Sequence, residues 1–278
     1  MNASIFQSVP ELVGTIRDGA KLAIPKESSG AAMAATRELL RRRVRDLHLV
    51  CVPVGGMQAD VLIGAGFVAT LETSAVSLGE FGPAPRFGEA VRTGKIKMLD
   101  STCPAIYAGL QAAEKGLPFM PLRGIIGSDL LTHRDDWRVM DNPFQPQDKI
   151  VALAAIKPDI ALFHAPYADR FGNVFFGRDR ELMTLSHASQ STLVTVEEIV
   201  QHDLLGDVTT ASGTIPALYI SAIAQAKCGA APYKFHEYYG DDEATLANYA
   251  AAAVTQSGFD RFVTDWINSA QPQIAMAV

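Results

Sequence analysis

The stretch from residue 21 to residue 54, KLAIPKESSGAAMAATRELLRRRVRDLHLVCVPV, decides the fold class of this chain. Residues 21–24 form a short apolar segment that Pro25 ends, and residues 46–54 form a nearly continuous apolar run, which is typical of a buried parallel strand. Between them, apolar side chains recur at helical spacing over residues 31–44. A strand, a helix and a second strand in this order predict a βαβ unit and therefore a parallel sheet.

The same alternation continues along the rest of the chain. Further strands are predicted at residues 67–71, 96–99, 150–154, 160–164 and 192–196, and further helices at residues 11–18, 58–63, 87–93, 105–115, 242–254 and 259–267. The sequence therefore predicts an α/β protein with three layers, αβα, around a mostly parallel sheet.

Residues 117–147 interrupt this alternation. The segment contains four prolines, and we predict a loop or lid there. No Gly-, Ser- or Pro-rich break is long enough to separate two domains, so residues 1–270 are predicted to form a single domain. Residues 271–278 are predicted to be a frayed tail.

Composition limits the partners that the chain can have. Its formal net charge is -6, so no overall positive field attracts nucleic acid or an anionic membrane. Charged residues make up 19% of the chain, a low share that favours a surface covered by another protein chain. The sequence shows no signal peptide and no apolar run of about 20 residues, so a cytoplasmic protein is predicted. The three cysteines are too scattered for a disulfide framework, and no metal site is predicted.

Three loops that follow predicted strands carry candidate substrate-binding residues. In the first loop, Ser28, Ser29 and Gly30 precede a helix whose N-terminal N–H groups favour an anion. The same residues are more typical of a polar helix cap, and no Gly-rich nucleotide motif is present.

The second loop contains Glu80, Phe81 and Gly82 in a Gly- and Pro-rich segment. Loops beyond the carboxyl ends of parallel strands form the ligand crevice of α/β proteins, and the alternative is an ordinary surface turn. In the third loop, Thr102 and Cys103 begin a helix, whose N-terminus can activate a thiol. The alternative for this cysteine is an inert, small apolar side chain.

A fourth segment combines His164, at the end of a predicted strand, with Asp169, Gly172 and Asn173 in a tight turn. Gly and Asn adopt positive φ easily, so we interpret these residues as a structural turn near the site. The sequence contains no triad, paired carboxylates or zinc pattern. No residue of this chain is therefore assigned a catalytic role.

Residues 158–174, PDIALFHAPYADRFGNV, resemble the pattern that marks the A (alpha) subunits of class I coenzyme A transferases. Residues 79–87, GEFGPAPRF, and residues 108–121, AGLQAAEKGLPFMP, are similar to the glutaconate CoA-transferase-like branch. The resemblance extends from about residue 10 to about residue 268. It implies the coenzyme A transferase fold, which is of the NagB/RpiA-like type.

The resemblance also implies an activity and a partner. The A-type chains of this family act with a B-type chain, as a heterodimer or an A2B2 assembly, and transfer coenzyme A between an acyl-CoA and a small carboxylic acid. The covalent step uses a glutamate of the B subunit, through an acyl-glutamyl anhydride and a glutamyl-CoA thioester. The coenzyme A thioester is then a substrate, and no tightly bound cofactor is expected.

Two positions depart from the family pattern. Residues 26–30 replace a Gly-rich turn, and we interpret the match of Glu27 to the glutamate motif of B subunits as a coincidence. Cys103 stands where a hydrolytic branch carries a glutamate. The absence of that glutamate argues against the same hydrolytic mechanism. Two alternatives to the transferase nevertheless stay open. One is a subunit of a CoA-thioester or ring-cleaving C–C hydrolase of steroid or aromatic catabolism, and the other is a non-catalytic acyl-CoA-binding paralogue.

Overall fold

The computed structural model describes residues 5–269, so the tail predicted at residues 271–278 lies outside the described residues. The strands are β1 (Phe6–Gln7), β2 (Lys21–Ile24), β3 (Leu47–Cys51), β4 (Val68–Thr73), β5 (Lys97–Asp100), β6 (Phe119–Leu122), β7 (Trp137–Asn142), β8 (Gln145–Ala154), β9 (Ile160–Asp169), β10 (Val174–Phe175), β11 (Ser191–Val200), β12 (Thr214–Ile215) and β13 (Ala222–Gln225). The helices are α1 (Val9–Gly14), α2 (Met33–Arg42), α3 (Met57–Gly64), α4 (Pro85–Arg92), α5 (Cys103–Glu114), α6 (Leu130–His133), α7 (Glu181–Ala188), α8 (Glu243–Ala252) and α9 (Gln256–Asn268).

The central sheet is mostly parallel, as the βαβ pattern predicts. Its strands follow the order β1-β13-β11-β9-β2-β3-β4-β5, and each neighbouring pair in that order is parallel. β10 and β12 add a short antiparallel extension beside β9. The chain runs outward from β2 to β5 and later returns to build β9, β11 and β13 on the other side of β2. The strand order therefore reverses between β2 and β9.

Helices cover both faces of this sheet and form two separate cores. In β2, Leu22 packs into one core and Ala23 into the other, because successive side chains of a strand point to opposite faces. The first core includes side chains of α1 to α4, α8 and α9, and the second includes side chains of α5 and α7. Both faces are buried, which explains why the strands are continuous apolar runs. The predicted α/β fold with three layers is confirmed.

Residues 117–147 are not a loop or lid, so that prediction is wrong. They supply two strands and the start of a third in a small antiparallel sheet of order β6-β8-β7. Pro121 lies in the edge strand β6, and Pro143 lies in the turn between β7 and β8. At neither position does the strand ladder need a backbone N–H group, which proline lacks, so both positions tolerate proline. The small sheet packs onto α5 through Trp137 and Val151.

Within the described part of the chain, none of the helices combines the length and apolarity needed to cross a bilayer. The division into a single domain over residues 1–270 stays a prediction.

A buried ion cluster around Glu72 of β4 joins the small sheet to the central sheet. Glu72 Oε2 lies 3.1 Å from Lys21 Nζ of β2 and 3.3 Å from His48 Nε2 of β3. Its other oxygen lies 2.7 Å from Arg134, which also pairs with Asp136 at 2.8 Å, just before β7. Burial opposes ionisation, but the hydrogen bond from His48 and the charges of Lys21 and Arg134 outweigh it and lower the pKa of Glu72 to about 2.

The first prediction concerns this cluster. Glu72→Gln should lower the free energy of unfolding by about 3–5 kcal/mol, because it removes the buried anion that pairs with Lys21 and leaves the buried Arg134 with Asp136 as its remaining charged partner. Chemical denaturation at pH 7 measures the change. As a control, Asp141→Asn removes the exposed ion pair with Lys149 and should cost less than about 1 kcal/mol.

The same cluster predicts a pH dependence. The folded-state pKa of Glu72 lies below its ordinary value. Its contribution to the free energy of unfolding is therefore complete at pH values above that ordinary pKa and is lost as pH falls through about 2. Unfolding free energy measured from pH 6 to pH 2 should therefore fall more steeply in the wild type than in Glu72→Gln. Equal slopes would show that Glu72 is not held ionised by these neighbours.

A second buried carboxylate, Asp169, organises the turn that follows β9. Its Oδ1 accepts hydrogen bonds from the N–H groups of Phe171 and Asn173 at 2.9 and 3.0 Å. Its Oδ2 accepts from Asn173 Nδ2 at 2.7 Å and from the Leu204 N–H at 3.1 Å. Gly172 has φ +90°, a conformation that favours glycine. These contacts support the interpretation of the segment as a structural turn.

We predict that Asp169→Asn destabilises the fold by about 2–3 kcal/mol, because one acceptor oxygen is replaced by an NH₂ group that faces N–H donors. Thermal unfolding monitored by circular dichroism tests this change. Asp203→Asn is the matched control, since Asp203 bonds the Leu205 N–H at an exposed position. An Asp169 variant as stable as this control would contradict the structural role.

Candidate functional site

The loops that leave the carboxyl edge of the central sheet form the candidate site. They are residues 25–30 after β2, 52–56 after β3, 74–82 after β4 and 101–102 after β5. Parallel strands bring these loops to one edge, and α/β proteins bind ligands there, near the point where the strand order reverses. Each candidate substrate-binding residue of the sequence lies in these loops or, like Cys103, in the first turn of α5.

The turn after β2 packs closely against β9. Gly30 has φ +91°, and a Cβ at this position would lie 2.1 Å from the carbonyl oxygen of His164. The His164 N–H donates to the Gly30 carbonyl at 2.7 Å, and Ser29 is buried with its hydroxyl 3.4 Å from Asp179. Ser28 is exposed. Glycine is therefore required for backbone packing here, and Ser28 is the member of this group that faces outward.

Glu27 lies in the same turn and is half-buried. Its carboxyl is hydrogen-bonded to the hydroxyl of Tyr233, which itself accepts a hydrogen bond from the Met57 N–H. Burial raises the pKa of Glu27, the hydrogen bond from Tyr233 opposes that rise, and the charge of Asp241 adds to it. In the sequence alone, Glu27 is interpreted as a coincidental match. The signal that identifies it as a candidate is a charged residue just beyond an apolar parallel strand.

The turn containing Glu80, Phe81 and Gly82 lies opposite this carboxyl. Residues Gly79–Phe81 form one turn of 3-10 helix, closed by a 2.9 Å hydrogen bond from the Leu78 N–H to the Gly82 carbonyl. Phe81 and Gly82 are half-buried and Glu80 is exposed. Among residues 5–269, the Glu80 side chain has no hydrogen-bond or ion-pair partner, so it is available to solvent or to a ligand.

Thr102 and Cys103 lie at the same edge of the sheet, where α5 begins after β5. The Thr102 hydroxyl caps the helix by accepting from the Ala105 N–H at 3.3 Å. Cys103 is exposed, with its Sγ 3.2 Å from the hydroxyl of Ser74. Across the described residues, neither group is hydrogen-bonded to a histidine or a carboxylate. The pair therefore lacks the base that activates a catalytic nucleophile.

His164 belongs to a buried network beside this edge. Its Nε2 lies 2.8 Å from Glu197 Oε1, and its Nδ1 lies 2.8 Å from the Thr195 hydroxyl. Glu197 also accepts hydrogen bonds from Tyr239 at 2.7 Å and from the Cys228 N–H at 2.8 Å. Burial lowers the pKa of His164, which favours a neutral ring with a proton on Nε2. With these bonds satisfied inside the protein, the geometry supports a structural role for His164.

The described residues contain no group of three or more His, Cys, Asp or Glu side chains that could hold a metal ion. A cavity of about 630 Å³ lies elsewhere, on the small sheet, and is lined by apolar side chains such as Phe119 and Phe144. It is remote from the edge loops and contains none of their polar groups. The edge loops bring exposed polar side chains such as Ser28 and Glu80 to one edge of the sheet, which suits substrate binding more than a complete catalytic centre.

Three relatives and a family model resemble the chain in sequence. Residues 6–226 match the sequence model of the family described as coenzyme A transferase. The A subunit of the glutaconate CoA-transferase of Acidaminococcus fermentans is 31% identical over 84% of this chain and 78% of the relative. The cholesterol ring-cleaving hydrolase IpdA subunit of Rhodococcus jostii is 29% identical over 98% and 94%. The A subunit of the 3-oxoadipate CoA-transferase of Pseudomonas knackmussii is 29% identical over 91% and 89%.

Solved structures agree with these relatives. The glutaconate coenzyme A-transferase of Acidaminococcus fermentans superposes with a TM-score of 0.89 at 27% identity, covering 95% of this chain and 89% of that one. A variant of the decarboxylase AibA/AibB superposes with a TM-score of 0.86 at 27% identity, covering 97% and 100%. Sequence and fold both agree over most of the molecule, and the chain therefore belongs to the coenzyme A transferase family.

Proposed function

We propose that this chain is the A subunit of a heteromeric coenzyme A transferase, which moves coenzyme A between an acyl-CoA and a carboxylic acid. The observation that carries the proposal is the likeness to the glutaconate enzyme in both sequence and structure. The edge loops agree with it, because among residues 5–269 they contain no hydrogen-bonded pair of nucleophile and base, which suits a chain that shapes the pocket. The covalent glutamate would then belong to a B-type partner.

The proposed reaction proceeds by exchange at the partner's glutamate. Its carboxylate attacks the thioester carbonyl carbon, coenzyme A leaves as a thiolate, and an acyl-glutamyl anhydride forms. The thiolate then attacks the glutamyl carbonyl, which releases the first acid and leaves a glutamyl-CoA thioester. The second acid reverses these two steps. The edge loops of this chain would hold the acid in line with the glutamate, which lowers the entropic cost of each attack.

The test is co-expression of this chain with its B-type partner, followed by incubation of the complex with acyl-CoAs. We predict a glutamyl-CoA adduct that borohydride or hydroxylamine traps on the partner and not on this chain. Mass spectrometry of the two separated chains locates it. Coenzyme A transfer to an added acid should then follow ping-pong kinetics.

A second candidate function is a hydrolase subunit on the same fold. The observation that favours it is the alignment with the ring-cleaving hydrolase subunit, which extends over 98% of this chain. Release of coenzyme A or ring opening without any covalent adduct would support this candidate and contradict the transferase proposal. Binding of acyl-CoA by the complex without any reaction would support a non-catalytic paralogue.

A further prediction concerns the thiol of Cys103. Cys103→Ala should leave kcat/KM of the complex within roughly threefold of the wild-type value, because the thiol has no base to activate it. Steady-state kinetics of coenzyme A transfer measure the ratio. A loss of about a thousandfold with an unchanged unfolding temperature would instead identify Cys103 as a catalytic residue.

A further inference from the structure

Glu27 lies on a continuous wall formed by three of the edge loops. Its N–H donates to the Val54 carbonyl at 3.3 Å, which joins the turn after β2 to the loop after β3. The Gly55 N–H donates to the Ala75 carbonyl at 3.1 Å, and the Ser77 N–H donates to the Gly55 carbonyl at 2.9 Å. These two bonds join the loop after β3 to the loop after β4. The Glu27 carboxyl is thus fixed at the edge where α/β proteins bind their ligands.

Gly56 makes room for this carboxyl, and Gly79 lies beside its other oxygen. A Cβ at Gly56 would lie 2.3 Å from Glu27 Oε2, which is a steric clash, so the position of the carboxyl depends on this glycine. A Cβ at Gly79 would lie 3.8 Å from Oε1, which is an ordinary contact distance. Oε2 is therefore enclosed, and Oε1 faces the turn that carries Glu80.

Within residues 5–269, the groups that act on the Glu27 carboxyl include a negative charge and no cation. Across residues 5–269, Glu27 forms no ion pair, and its neighbour Lys26 pairs with Glu181 at 3.2 Å. The groups that act on the carboxyl are the Tyr233 hydroxyl, which donates a hydrogen bond, and Asp241, which repels it. Burial raises the pKa of the nearby Cys51 thiol, and the charge of Glu27 adds to that rise. A substrate carboxylate placed beside Glu27 would therefore be repelled by negative charge that no nearby cation offsets.

We propose that Glu27 selects the acid that the complex uses. It faces the part of the bound acid beyond the reacting carboxyl, disfavours a second carboxylate there, and favours a hydroxyl group that donates a hydrogen bond to Oε1. The inference rests on the proposed transferase function and adds a substrate class to it. That class differs from glutaconate and 3-oxoadipate, the dicarboxylic acids in the names of two relatives.

A purely structural role for Glu27 predicts a different result. The carboxyl and the Tyr233 hydroxyl lie at the N-terminus of α3, where they offset unpaired N–H groups. Loss of that role alone would change the rate with all acids by the same factor. Selection by charge changes the ratio of kcat/KM between two acids, so this ratio distinguishes a selective role of Glu27 from a structural one.

The experiment uses the complex with its B-type partner, acetyl-CoA as donor, and matched acids of four, five and six carbons. Each set contains the unsubstituted acid, the acid with a terminal hydroxyl and the dicarboxylate, for example butyrate, 4-hydroxybutyrate and succinate. We expect kcat/KM of the wild type to be at least about tenfold higher for the hydroxy acid than for the dicarboxylate, because like charges a few ångström apart repel. Glu27→Gln should reduce this ratio by about tenfold.

Glu38→Gln is the matched control, since it removes the same charge from a surface pair with Arg41 on α2 and should leave the ratio unchanged. The wild-type ratio tests the proposal even where Glu27→Gln fails to fold. Three results would overturn the role of Glu27 and leave the transferase proposal standing. They are a wild-type preference for the dicarboxylate, an unchanged ratio of kcat/KM in a folded Glu27→Gln complex, and no transfer to any acid despite a trapped adduct. Failure to trap the adduct would overturn both.

Discussion

The buried carboxylate of Glu72 lies where four separate pieces of the chain meet, and the placement of the small sheet beside the central sheet depends on its polar partners. Lys21 and His48 reach it from the two neighbouring strands, and Arg134 reaches it from the segment that leads into the small sheet. An ion buried this deeply is tolerated only when its partners are in place. The cluster therefore fixes the register of β2, β3 and β4, and with it the loops that these strands deliver to the carboxyl edge.

Much of the fold could be predicted because its strands are buried on both faces. Runs such as residues 46–54 are unmistakably apolar, and the helix between them has one apolar side. The small sheet escapes prediction because Pro121 lies in an edge strand, Pro143 lies in a turn, and Pro146 lies in β8 at a position without a paired residue, which only the pairing of the strands reveals. Helix α7 and strand β13 were not predicted from the sequence, and their stability comes from tertiary contacts: α7 buries Leu182 and Leu185 in the second core, and β13 pairs with β11.

The candidate site was less accessible to sequence reasoning because its contacts join distant residues. The sequence located the right loops, since position after a strand determines the edge at which a loop lies. It could not show that Gly30 packs against His164, or that Glu27 meets Tyr233 about two hundred residues later. Glu27 looks coincidental in the sequence for the same reason. A local pattern identifies a charged residue, and only the folded chain shows that no cation among residues 5–269 pairs with it.

The small sheet and its arginine also bear on how proteins of this kind exchange parts during evolution. The segment enters after α5 and leaves before β9, so by length alone it resembles a transferable insertion. Yet Arg134 and Glu72 are separated by 62 residues and are best inherited together, because loss of either one removes the most deeply buried ion pair of the cluster and leaves the other with a single, more exposed charged partner. A single crossover between them in a divergent homologue would be selected against. Recombination breakpoints should therefore fall outside the interval that these two residues enclose.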